Sequence, residues 1–122
     1  MSKVLIVAPD KETINLYKAA ITFQGIDTIT ATRAEESLKM LDEHPSLILL
    51  DIMTPDLNKV NLINEIQKRT KGEVPLIIIA DMREDADLYS HSIEGACEYL
   101  FKSETSVGDI IRKVRTTIDK KK

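Results

Sequence analysis

Two residues in this chain combine a reactive type with a promising position. Asp51 closes the apolar run Leu47-Ile48-Leu49-Leu50, and Lys102 closes the later run Tyr99-Leu100-Phe101. Burial of a carboxylate at the mouth of a strand disfavours its charged form, so a cation or hydrogen-bond donors must stand beside it. An ammonium at the matching end of another strand supplies that charge, and the two can pair without any metal. Asp81, just after the run Leu76-Ile77-Ile78-Ile79-Ala80, is a second carboxylate placed to compete for the same ammonium. Taken singly, a strand-end Asp that bonds its own loop and a Lys that reaches to solvent are the plainer readings.

The first run, Val4-Leu5-Ile6-Val7, ends on Ala8 and Pro9 before it reaches Asp10. With Thr13 three positions later, Asp10 is expected to cap the following helix rather than to hold a metal. His44 and His91 have no second His or Cys at ligand spacing, and Cys97 is alone in the chain, which excludes an internal disulfide and a Cys-based metal cluster.

The elements that position these residues follow from periodicity. Five short apolar runs begin at Val4, Thr28, Leu47, Leu76 and Tyr99, and each is followed by a segment with helical spacing. The first helix is expected over 10–24 with Leu16, Ala20 and Phe23 inward, Ile14 and Ile21 widening the stripe, and Gly25 as its stop signal. Thr32 with Glu35 forms a capping-box pattern ahead of Ala34, Leu38 and Leu41. Asn58 is placed to cap a third helix with Ile63, Ile66 and Thr70 inward, and a short fourth helix is expected over Asp85 to Glu94, ended by Gly95. The last helix, 106–120, repeats Val107, Ile110, Ile111, Val114 and Ile118. Five strand-helix units demand an α/β fold with a mostly parallel sheet covered on both faces. The second strand region, Ile26-Asp27-Thr28-Ile29-Thr30, alternates and carries a charge, which places it at a sheet edge. In such sheets the ligand crevice lies beyond the C-terminal strand ends, where Asp51, Ala80-Asp81 and Lys102 fall.

The composition is that of an ordinary globular chain: 122 residues, 43% hydrophobic and 30% charged. A net charge of -3 gives no global attraction to nucleic acid or anionic lipid, and Lys120-Lys121-Lys122 reads as a solvated tail. No apolar stretch is long enough for a leader or a membrane span, so a cytoplasmic protein of one domain over residues 1–122 is expected.

The segment Leu47-Ile48-Leu49-Leu50-Asp51-Ile52-Met53-Thr54-Pro55-Asp56 resembles the phosphoacceptor segment of response regulator receiver domains, with proline four residues after the aspartate. Gly95-Ala96-Cys97-Glu98-Tyr99-Leu100-Phe101-Lys102 resembles that family's last strand. The resemblance covers essentially the whole chain. It implies a flavodoxin-like (βα)5 three-layer sandwich with strand order 2-1-3-4-5. It also implies that Asp51 accepts a phosphoryl group from a phosphohistidine, that Lys102 contacts that group, and that Tyr99 stands where the family has a rotating aromatic. Mg²⁺ is implied as cofactor, with Asp51, the backbone carbonyl of Met53 and an acidic pair after the first strand as ligands; only Asp10 lies near that pair's place.

Several positions depart from the family pattern. Ala8 and Pro9 replace the acidic pair, Ala80 replaces the hydroxyl residue that reads out the phosphoryl group, and Asp81 replaces its small neighbour. Lys59 and Ser103 stand for an expected glycine and proline. The expected function is a receiver in phosphorelay signalling, not an enzyme, with Mg²⁺ bound weakly or not at all. The alternative is a pseudo-receiver that binds partners without phosphorylation. A sensor histidine kinase or phosphotransfer protein is the implied donor. With no output domain in these residues, the signal is expected to leave through a downstream protein at the face of the fourth helix, fifth strand and fifth helix, without direct nucleic-acid or membrane contact.

Overall fold

The apolar runs become five strands because each is bounded by turn residues and carries too few residues for a helix. The computed structural model describes residues 2–56, 61–81 and 97–120. Strands β1 (Lys3–Val7), β2 (Asp27–Ala31), β3 (Leu47–Asp51), β4 (Leu76–Ala80) and β5 (Cys97–Phe101) form one parallel sheet in the order β2-β1-β3-β4-β5. Strand β2 is an edge, as its charge and alternation require, and Asp27 is exposed.

Successive side chains of a strand point to opposite faces, so each interior strand feeds two cores. Val4, Ile6, Leu47, Leu49, Ile77 and Ile79 pack on one side with helix α1 (Lys11–Phe23) and the C-terminal helix α4 (Val107–Lys120). Leu5, Val7, Ile48, Leu50, Leu76 and Ile78 pack on the other with α2 (Ala34–Met40) and α3 (Leu62–Thr70). Helices therefore cover both faces, and β3 and β4 are buried along their full length.

Helix α1 starts as expected but is rotated. Asp10 is extended and its Oδ1 accepts from the Thr13 N–H at 2.7 Å, a side-chain N-cap. The buried residues are Ile14, Tyr17 and Ile21, whereas Leu16 and Phe23 are exposed and Ala20 only half-buried. Of the expected stripe, Leu16 and Phe23 therefore do not face the core, while Ala20 packs at its edge. A helix with apolar residues on two sides leaves its rotation undetermined by periodicity, and the sheet selects the β-branched and aromatic face.

Helix α2 corrects a second expectation. Arg33, not Thr32, occupies the N-cap position and makes no side-chain cap bond. Because the helix starts one residue late, Glu36 rather than Glu35 stands at the third helical position, and its Oε1 accepts from the Thr32 N–H at 2.8 Å. A 3-10 turn, Leu41–Glu43, follows. In α3 the inward Ile63 and Ile66 are buried, together with Leu62, while Thr70 is half-buried. The α4 pattern holds over most of its length: Ile110, Ile111, Val114 and Ile118 are buried, Val107 is half-buried against the same core, and Ser106 stands just before the first turn, where its Oγ accepts from the Asp109 N–H at 3.1 Å. Asn58, Lys59, the expected helix over Asp85 to Glu94, His91, Gly95 and the side chain of Cys97 lie outside the described residues.

Candidate functional site

The C-terminal ends of β1, β3, β4 and β5 meet where strand order reverses, the usual crevice of such sheets. Parallel register sets the depth of each residue. Asp51 lies opposite Ile79, Ala80 opposite Phe101, and the pairing runs one step further as the Lys102 N–H donates to the Ala80 carbonyl at 2.8 Å. Lys102 therefore leaves β5 one residue beyond the top of β4, from where its side chain reaches Asp51.

Both carboxylate oxygens of Asp51 are engaged. Oδ1 accepts from the Met53 N–H at 2.9 Å, and Oδ2 accepts from Lys102 Nζ at 3.0 Å. The Asp51 side chain is 2% exposed and that of Lys102 37%, so the pair is buried at one end and wet at the other. Asp81 Oδ1 stands 3.6 Å from the same ammonium, itself 55% exposed. The expected ion pair, with Asp81 as a looser second partner, is present.

The loop after Asp51 is tied down by its own chemistry. Thr54 is buried; its hydroxyl donates to the Asp51 carbonyl at 2.7 Å and its N–H to the same oxygen at 3.1 Å. Asp56 adopts a left-handed backbone, φ 68°, and meets Arg33 at 2.6 Å, while the Ala34 N–H donates to the Pro55 carbonyl. These contacts attach the Asp51 loop to the start of α2. None was singled out from the sequence, although Thr and Asp at a strand-end turn carry a local signal.

Tyr17 is a further residue that the sequence reading passed over. It is buried in the same core as Ala8, and its phenol feels the charges of Lys102, Asp51 and Asp81. Burial chiefly pushes its hydroxyl above the ordinary tyrosine range. For Lys102, burial works against the ammonium, but the hydrogen bond and charge of Asp51, with Tyr17 and Asp81, prevail and raise its pKa above the usual 10.5. A proton held more tightly in the folded state stabilises fully below the unfolded pKa and is lost as pH rises through the folded one. Both groups therefore act in the same alkaline window. Thermal melts are expected to show no contribution from either group to a pH dependence near neutrality, then a falling midpoint above about pH 10, with a shallower fall in Tyr17→Phe.

Ala80 and Tyr99 occupy the two expected signalling positions. Ala80 is a buried methyl group at the end of β4, so no side-chain hydroxyl is available there. Tyr99 is half-buried on β5, packs against the core that holds α2 and α3, and lies parallel to Phe101 with ring centroids 6.4 Å apart.

The donor set does not match what Mg²⁺ requires. Mg²⁺ takes octahedral oxygen ligation, usually from one or two carboxylates with water. Here Ala8 is fully buried and apolar, Pro9 offers no side-chain oxygen, Asp10 is exposed and committed to its cap, and Asp51 already has two partners. Among the described residues no trio of His, Cys, Asp or Glu is arranged to hold a metal ion. Among them, too, no helix is long and apolar enough to cross a membrane.

Comparison with known proteins bears on this geometry. The family model for the response regulator receiver domain matches residues 4–115. A transcriptional regulatory protein of Haemophilus influenzae, a CpxR homolog, is 37% identical over 87 residues, which cover 71% of this chain and 37% of that protein. This chain thus spans well under half the length of that relative. Among solved structures, the receiver domain of the Francisella response regulator 1452 superposes with a TM-score of 0.81 at 27% identity, covering 100% of both chains. A receiver domain from Methanospirillum hungatei JF-1 gives a TM-score of 0.83 at 22% identity, with 99% of this chain and 96% of that one covered, and supports the fold.

Proposed function

Because this chain belongs to the response regulator receiver domain family of two-component signalling, we propose that it is a phosphorelay receiver in which Asp51 is the phosphoacceptor and Lys102 the phosphoryl contact. The observation that carries this reading is the 3.0 Å pairing of Lys102 Nζ with Asp51 Oδ2 at the switch point of the sheet. A phosphohistidine of a sensor kinase or phosphotransfer protein is the donor. An Asp51 carboxylate oxygen attacks phosphorus, the P–N bond breaks, and its electron pair leaves with the imidazole nitrogen. Lys102 exchanges Oδ2 for a phosphoryl oxygen and neutralises part of the charge that the transfer gathers. Asp51 is consumed once per cycle, so the module is a switch element rather than a turnover enzyme.

The acidic pair is replaced by Ala8 and Pro9, so the cationic help usual at such a site is reduced to one ammonium. At tenfold per 1.36 kcal/mol, loss of several kcal/mol slows transfer by roughly two to four powers of ten. Ala80 favours a second reading, in which the fold binds its partner through the surface around β5 and α4 irrespective of phosphorylation, since no hydroxyl at the end of β4 reads the phosphoryl group.

Mass spectrometry after incubation with an acyl phosphate or phosphoramidate separates the two readings. A slow gain of about 80 Da, absent in Asp51→Asn, is the expected result. No adduct after prolonged incubation leaves the interaction module as the function.

A further inference from the structure

We infer that the ammonium of Lys102, rather than a divalent ion, is the resident cation of this site, with Asp51 as its close carboxylate partner and Asp81 as its outer one. The inference rests on reading Asp51 as the centre of the module, and three observations carry it. First, each carboxylate oxygen of Asp51 already accepts a hydrogen bond, Oδ1 from the Met53 N–H at 2.9 Å and Oδ2 from Lys102 Nζ at 3.0 Å. An arriving ion must either share this carboxylate with a positive charge 3.0 Å away or displace it, at a side chain that is 2% exposed. Second, the strand end that would supply further acidic ligands holds a fully buried Ala8 followed by Pro9, and the nearest carboxylate, Asp10, accepts from Thr13 at 2.7 Å at the start of α1. Third, Asp81 stands 3.6 Å from Nζ on the solvent side, so the ammonium is held from two directions.

The charges favour the same occupant. Asp51 and Asp81 together carry two negative charges, and Lys102 cancels one of them at hydrogen-bonding distance. Mg²⁺ gives up its hydration water reluctantly and would have to do so here for a single inner carboxylate beside a fixed positive charge. A covalently tethered cation loses far less on binding, because it is already delivered to the strand ends by the β4–β5 pairing.

The test reads ion binding directly. The full chain, labelled with ¹⁵N, is titrated with Mg²⁺ and then with substoichiometric Mn²⁺, following the backbone amides of Met53, Thr54 and Lys102. The expected result is no saturable Mg²⁺ shift up to about 20 mM and no selective Mn²⁺ broadening at these amides. Lys102→Gln, which removes the charge, is expected to gain at least about tenfold in divalent affinity, whereas Lys102→Arg stays as the native chain. A saturable low-millimolar Mg²⁺ shift in the native chain overturns the inference, and so does a folded Lys102→Gln that gains nothing. Should Lys102→Gln not fold, the native titration decides alone. No phosphoryl chemistry enters this experiment, so a chain that takes no phosphoryl group can pass it and one that is phosphorylated can fail it.

Discussion

Lys102→Ala is expected to lower the unfolding free energy by about 1–3 kcal/mol, a large part of what a domain of this size possesses. Removing one partner of a fully buried pair typically costs 3–5 kcal/mol, because the other charge is left stranded, while an exposed pair contributes 0–1. This pair lies between those limits, with Asp51 2% exposed and Lys102 37% exposed. Met53 N–H still holds Oδ1 in the variant, which moderates the loss. Urea unfolding of Lys102→Ala, Asp51→Asn and the double variant measures the coupling. In the Asp51→Asn background the Lys102→Ala cost is expected to shrink below about 0.5 kcal/mol, because no buried charge remains to strand. Equal costs in both backgrounds would mean that the ion pair contributes nothing. Asp81, at 3.6 Å and 55% exposed, belongs to the class of surface charges whose removal changes little.

The second large effect falls on α1 and decides between two apolar stripes. Ile21→Ala is expected to cost about 2–5 kcal/mol, since the side chain is fully buried against the sheet and its removal leaves a cavity. Phe23→Ala, two residues further on, is expected to stay within about 0.5 kcal/mol because the ring is 88% exposed. By size alone the order would be reversed, as phenylalanine is the larger residue. Urea midpoints with unchanged m-values would establish the ranking; a Phe23 variant costlier than the Ile21 one would mean that α1 turns its other face to the sheet.

The metal question links these energetics to function. In a receiver the cations that neutralise the phosphoryl oxygens supply most of the electrostatic work of transfer. Where one of them is a lysine already engaged with the acceptor, the pair must open before reaction. On the proposed reading of Asp51 as phosphoacceptor, the contacts that stabilise the resting site would also slow its chemistry, with Lys102 at the centre of both effects.

Much of this was legible in the sequence because it depends on local periodicity. The consecutive apolar runs announced strands covered on both faces, and Asp27 and the alternation around it marked β2 as an edge. The Asp10 cap was readable from Thr13, since capping involves neighbours in the chain. The Asp51-Lys102 pair, 51 residues apart, was readable because the strand-helix alternation brings strand ends to one side of the sheet. Tertiary structure alone decided the rest. Whether Tyr17 or Leu16 turned inward depended on how the sheet accepted α1, for both lie on apolar stripes of the same helix. The start of α2, and hence the choice of Glu36 over Glu35, depended on Arg33 meeting Asp56 and on Ala34 bonding Pro55, contacts that exist only once β3 is in place. That both carboxylate oxygens of Asp51 are already hydrogen-bonded, one of them to an ammonium, likewise required the register of β3, β4 and β5, because hydrogen-bond occupancy is a property of assembled geometry and not of residue type.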